Sequence, residues 1–105
     1  MAQHVSVADL VVGRAAGAVV VDVREPAEFA DGRVPGALNV PLGTVAFSLG
    51  RLAELAVDGP LYLVCEVGGR SAHAADYLCQ YGIDSRTVDG GTRAWVAGGH
   101  PLDRG

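Results

Sequence analysis

The chain has 105 residues, of which fifteen are glycine, half are apolar and 19% are charged. That balance supports a core and excludes intrinsic disorder, which needs low hydrophobicity with high charge, so one domain over residues 1–105 is expected. The eight basic residues are all Arg and face twelve acids, for a net charge of −4 with no basic cluster; both a nucleic-acid footprint and a polybasic membrane segment are thereby excluded.

The longest apolar run, Ala15 to Val21, stops at Asp22, well short of the ~20 residues a spanning helix needs. The N-terminus, Met1-Ala2-Gln3-His4-Val5, lacks the charged and apolar regions of a signal peptide. A soluble cytoplasmic protein is expected, and two cysteines are too few for a disulfide scaffold.

In chain order, His4-Val5 predicts a first short strand. Ser6-Val7-Ala8-Asp9 resembles a capping box with Asp in place of Glu, opening a helix through Val12. Ala18-Val19-Val20-Val21 is a continuous apolar run that predicts a strand buried on both faces. Pro26 suits a first helical position, leading Ala27-Glu28-Phe29. Leu38-Asn39-Val40 predicts another short strand, and Leu49, Leu52, Ala53 and Ala56 then recur at helical spacing. The Gly59-Pro60 turn enters a second buried strand, Leu61-Tyr62-Leu63-Val64. Ala72, Ala75, Leu78 and Cys79 mark a helix ended by Gly82 and followed by apolar Ile83. Arg86-Thr87-Val88 predicts the last strand, and a helix from near Thr92 carries Trp95 and Val96 before stopping at Gly98-Gly99. Strands alternating with helices predict an α/β domain with a mostly parallel sheet, whose site lies beyond the carboxyl ends of the strands.

The segment beyond Val64 reads Cys65-Glu66-Val67-Gly68-Gly69-Arg70-Ser71. Gly68 and Gly69 let the backbone turn sharply and bring amide N–H groups inward, so the loop and first helical turn form a nest of donors beneath the helix dipole. A thiolate there is stabilised below the ~8.5 of a free cysteine. Arg70 adds a positive charge, Glu66 opposes it, and the Ser71 hydroxyl is within reach of the sulfur. Taken alone, Cys65 also reads as a small buried hydrophobe ending a strand; the strand–loop–helix context favours a reactive thiolate or an anion site.

Several ordered motifs here resemble the rhodanese-like sulfurtransferases. They are Val20-Val21-Asp22-Val23-Arg24-Glu25-Pro26 with Glu28-Phe29, Gly32-Arg33-Val34-Pro35-Gly36-Ala37-Leu38-Asn39-Val40-Pro41, Cys65 through Ser71, and Asp89-Gly90-Gly91 with Trp95, Gly99 and Pro101. The resemblance implies a five-stranded, mostly parallel sheet flanked by helices on both faces. It also implies a Cys65 persulfide formed from thiosulfate or another sulfane donor and passed to a thiol or to cyanide. The thiol acceptor would be a small molecule or a thioredoxin-like protein. The backbone of Glu66, Val67, Gly68, Gly69 and Arg70 would hold the persulfide, with no metal or organic cofactor implied. Tyrosine-phosphatase loops carry one residue more between Cys and Arg, which places phosphatase and arsenate reductase below sulfur transfer. The rival from another class is a non-catalytic rhodanese-like binding module.

Glu66 stands where many thiosulfate-using members carry a basic residue. A carboxylate there repels a dianion, so weak thiosulfate use, improved by Glu66→Arg, is expected. Cys79 reads as buried packing or as a resolving thiol for Cys65, while Asp22, Arg24 and Glu25 read as an ion-pair network near the loop. His73, near the first turn of the loop's helix, is expected to be exposed, and Trp95 and Phe29 to anchor helices to the sheet.

Overall fold

A computed structural model describes all 105 residues. Gln3–Val5 form β1, and the chain then turns at Ser6 into α1 (Val7–Ala15). Asp9 N–H donates to Ser6 Oγ at 3.1 Å and Ser6 N–H to the Asp9 carboxylate at 3.0 Å. The capping box is therefore reciprocal, with Asp doing what Glu does elsewhere. β2 (Val20–Asp22) leads to α2 (Pro26–Asp31), which has Pro26 at its first position, and then to β3 (Leu38–Asn39). β4 (Leu61–Val64) follows α3 (Leu49–Leu55), α4 (Gly69–Gln80) precedes β5 (Ser85–Val88), and α5 is Gly91–Ala97.

The five strands lie in the order β1-β5-β4-β2-β3, and every neighbouring pair is parallel. β4 is central and wholly buried, which accounts for its unbroken apolar sequence. Alternation along it divides the core. Leu61, Leu63 and Cys65 join Val45 of the segment before α3, Leu52 of α3, and Ala75 and Leu78 of α4. Tyr62 and Val64 join Leu10 of α1 and Trp95 of α5 on the other face. Each fully buried Leu or Val contributes about 1.5–3 kcal/mol relative to exposure, so the two clusters clamp β4 from both sides and hold its carboxyl end in place.

One local feature differs from the sequence reading. Leu42–Ser48 forms a 3₁₀ helix running straight into α3, although only Val45 in it is buried and Phe47 is 91% exposed. With one buried anchor in seven residues there is no helical periodicity to read. α4 closes at its glycine as expected: just past Gln80, Gly82 N–H bonds Cys79 O at 3.1 Å and Ile83 N–H bonds Leu78 O at 3.2 Å. That is a Schellman closure, with buried Ile83 as its apolar contact. The tail folds back, where Arg33 and Asp103 exchange two main-chain bonds at 2.9 Å and Trp95 Nε1 donates to Pro101 O at 2.6 Å. No helix is long and apolar enough to cross a membrane.

Candidate active site

β4 delivers Cys65 to its carboxyl end, where the side chain is 1% exposed. The backbone then reverses through Glu66 and Val67 to Gly68, whose φ of +119° is open to glycine and strained for other residues. Gly68 caps α4, so Gly69, Arg70 and Ser71 belong to the helix's first turn. Gly68 N–H donates to Cys65 Sγ at 3.0 Å. Ser71 Oγ lies 3.5 Å from Sγ, 3.1 Å from Gly68 O and 2.7 Å from Thr87 Oγ1 on β5. A Cys65 thiol donates to that hydroxyl; a thiolate accepts from it. Burial, the strongest single influence, pushes the Cys65 thiol up. The Ser71 hydroxyl and the N–H groups of Ser71, Gly68 and Val67 together outweigh it and hold the thiol below its ordinary value.

The loop is also held from behind. Thr92 N–H donates to Cys65 O at 2.9 Å and Arg93 N–H to Glu66 O at 3.1 Å, so the first turn of α5 grips two loop carbonyls. This approach is close enough that a Cβ on Gly91, at φ +54°, would collide with the Cys65 carbonyl oxygen.

Charge is arranged around this backbone. Asp22, 0% exposed, receives Arg24 Nε at 3.1 Å and Nη2 at 2.8 Å, while Nη2 also reaches Gly32 O at 2.7 Å. Arg24 Nη1 faces Glu66 Oε1 at 3.4 Å, and Arg93 Nη2 lies 3.8 Å from Glu66 Oε2. Arg70 donates to both oxygens of Glu28, at 2.7 and 2.9 Å. Those bonds, chief among the causes, hold the Glu28 carboxyl at about 2. The Arg70 guanidinium is thus committed to a planar, two-pronged pair and reaches Cys65 through its charge rather than by contact.

A model of the Rhodanese-like domain matches residues 6–98. The chain belongs to the rhodanese-like domain family. It is 38% identical over 95 residues to a protein of Shewanella oneidensis named thiosulfate sulfurtransferase GlpE, covering 89% of this chain and 91% of the relative. A Pseudomonas putida protein of the same name is 44% identical over 82 residues, covering 77% of this chain and 72% of the relative. The solved structure of a rhodanese-like domain protein from Staphylococcus aureus superposes with a TM-score of 0.84 at 30% identity, covering 98% of each chain. By this kinship the protein is an enzyme of the sulfurtransferase class.

The rhodanese-like loop brings Cys65, Gly68 and Ser71 together, while Val67 stands 55% exposed at its tip. Glu66 is not the bare carboxylate of the sequence reading, since two guanidiniums flank it. Asp22 and Arg24 form the expected ion-pair network, while Glu25 is an exposed residue outside it. Thr87 as the second support of Ser71 and Glu28 as the partner of Arg70 escaped sequence reasoning. Glu28 carried a signal, its place in the first motif; Thr87, from another strand, carried none. His73 is exposed on α4 beside an apolar groove with Ala46 and Tyr77. Cys79 points to Ser85 O at 3.5 Å. At ~1.5 Å per residue it lies about 15 Å along α4 from the loop, too far for a disulfide with Cys65 without backbone movement. Ser71→Ala is expected to raise the Cys65 thiol pKa, moving the pH profile of its alkylation by iodoacetamide to higher pH. The variant also loses about 1–3 kcal/mol of stability to urea, because Thr87 keeps a buried hydroxyl with one partner fewer.

Proposed function

We propose that Cys65 is the nucleophile of this sulfurtransferase, and that residues 1–105 act as one unit. The observation that carries the reading is the Cys65 sulfur held 3.0 Å from Gly68 N–H at the start of α4, with its thiol pKa depressed. The thiolate attacks the outer sulfur of a sulfane donor. With thiosulfate, the donor in the relatives' names, the S–S bond breaks, sulfite leaves with the bonding pair, and Cys65–S–S⁻ remains. With an organic persulfide the leaving group is a thiolate and the proton stays on the transferred sulfur. A second thiolate, on a small molecule or a thioredoxin-like protein, then takes the terminal sulfur and regenerates Cys65; cyanide serves as an assay acceptor. The N–H groups at residues 66–70 and the Ser71 hydroxyl receive the negative charge that sits on one sulfur or the other throughout, as an oxyanion hole does for oxygen. Arg70, tied to Glu28, sets the loop's shape and contributes long-range positive charge. Both cysteines are free, which fits a reducing, cytoplasmic setting.

Intact-mass measurement after incubation with thiosulfate, and separately with a persulfide donor, tests the reading. A gain of one sulfur atom mapped to Cys65 is expected, removed again by a thiol acceptor. No gain with either donor overturns it.

A further inference from the structure

Beside the loop lies a cleft of about 290 Å³, lined among others by Arg24, Glu66, Thr92 and Arg93. Arg24 is 4% exposed and spends Nε and Nη2 on Asp22 and Gly32 O, which leaves Nη1 turned to Glu66 at 3.4 Å. Arg93 stands on the other side of the same carboxylate at 3.8 Å. Both distances exceed the ~2.7–2.9 Å of a strong charge-assisted bond. The Thr92 hydroxyl, buried at the same cleft, has no partner. Glu66 therefore lies between two cations, accepting one long hydrogen bond from Arg24 and none from Arg93.

We propose, on the basis of the sulfurtransferase reading above, that Glu66 sets donor specificity by occupying an oxyanion subsite formed by Arg24 and Arg93. The site then discriminates against sulfonate-type donors such as thiosulfate in favour of persulfides with an uncharged head group. With Glu66 in place the cleft carries two guanidiniums against three carboxylates, the others being Glu28 and Asp31. Glu28 is further tied to Arg70, and Arg24 to Asp22. An incoming dianion meets cations that are already engaged and a surplus of negative charge.

The test uses the full chain as wild type, Glu66→Gln and Glu66→Gln/Arg93→Ala. Gln keeps the size and removes the charge, whereas Arg would crowd a third guanidinium against Arg24 and Arg93. Sulfate, which resembles thiosulfate and cannot react, is titrated by calorimetry. Expected is sulfate binding about tenfold tighter in Glu66→Gln, a gain lost again in the double variant. Alongside it, the ratio of kcat/KM for thiosulfate to kcat/KM for a neutral alkyl persulfide rises about tenfold, chiefly through KM. Unchanged sulfate affinity, an unchanged donor ratio, or a gain that survives loss of Arg93 overturns the proposal. Sulfate binding needs no turnover, so it decides the subsite even if Cys65 gains no sulfur from either donor and the catalytic reading falls.

Discussion

Cys65→Ser is expected to abolish sulfur loading on the chain and to reduce donor turnover by on the order of 10³-fold or more, because the proposed nucleophile is gone. Serine keeps the shape of the buried side chain. Its oxygen is a far weaker nucleophile at neutral pH, and no general base is hydrogen-bonded at that position: the groups around Cys65 Sγ are the N–H groups of Val67, Gly68 and Ser71 and the Ser71 hydroxyl. Nothing there takes a proton from a serine, whereas everything there stabilises a sulfur that has already lost one. Mass spectrometry of the variant after exposure to either donor, together with cyanide-dependent turnover, reads the result. If sulfur transfer persists in Cys65→Ser, the nucleophile is elsewhere, and Cys79, near the far end of α4, is the remaining thiol.

The second large effect falls on stability. Asp22→Ala is expected to lower the unfolding free energy by about 3–5 kcal/mol, since it strands the buried guanidinium of Arg24. Asp22 accepts three guanidinium bonds from Arg24 together with the Arg24 backbone N–H at 2.9 Å. Removing the carboxylate leaves Arg24 with Gly32 O and the partly exposed Glu66. Urea denaturation should show a lower midpoint at a similar slope. A loss below about 1 kcal/mol would mean that Arg24 finds water or swings to Glu66, and that the pair is not the cornerstone its burial implies.

Most of the scaffold was legible in the sequence because its signals are local. Ser6 and Asp9 announce α1, Pro26 announces α2, and the Leu61–Val64 run announces the central strand without reference to anything distant. Strand order is not local: β5 lies between β1 and β4, and no single segment records that. The 3₁₀ helix from Leu42 to Ser48 was hidden for the opposite reason, its one buried anchor giving no period. At the site, Cys65, Gly68 and Ser71 were readable from spacing along one loop. Their environment was not, because Thr87, Thr92 and Arg93 arrive from β5 and α5. The charge at Glu66 was visible, and so was Arg24 near the loop; the contacts of Arg24 and Arg93 with that carboxylate were not, and on the proposed reading they turn a repelling group into an occupant.

The grip of α5 on the loop also bears on how such an enzyme diversifies. The bonds from Thr92 and Arg93 end on carbonyl oxygens of Cys65 and Glu66, and the Gly68 bond to sulfur starts from a backbone nitrogen. Every residue type supplies those atoms, proline's missing N–H aside. The side chains at Glu66 and Val67 can therefore be exchanged without dismantling the cradle of the sulfur. On the proposed reading, reactivity and selectivity are written in separate parts of the same seven residues, so a change of donor requires only a new side chain at the cleft, not a new active site.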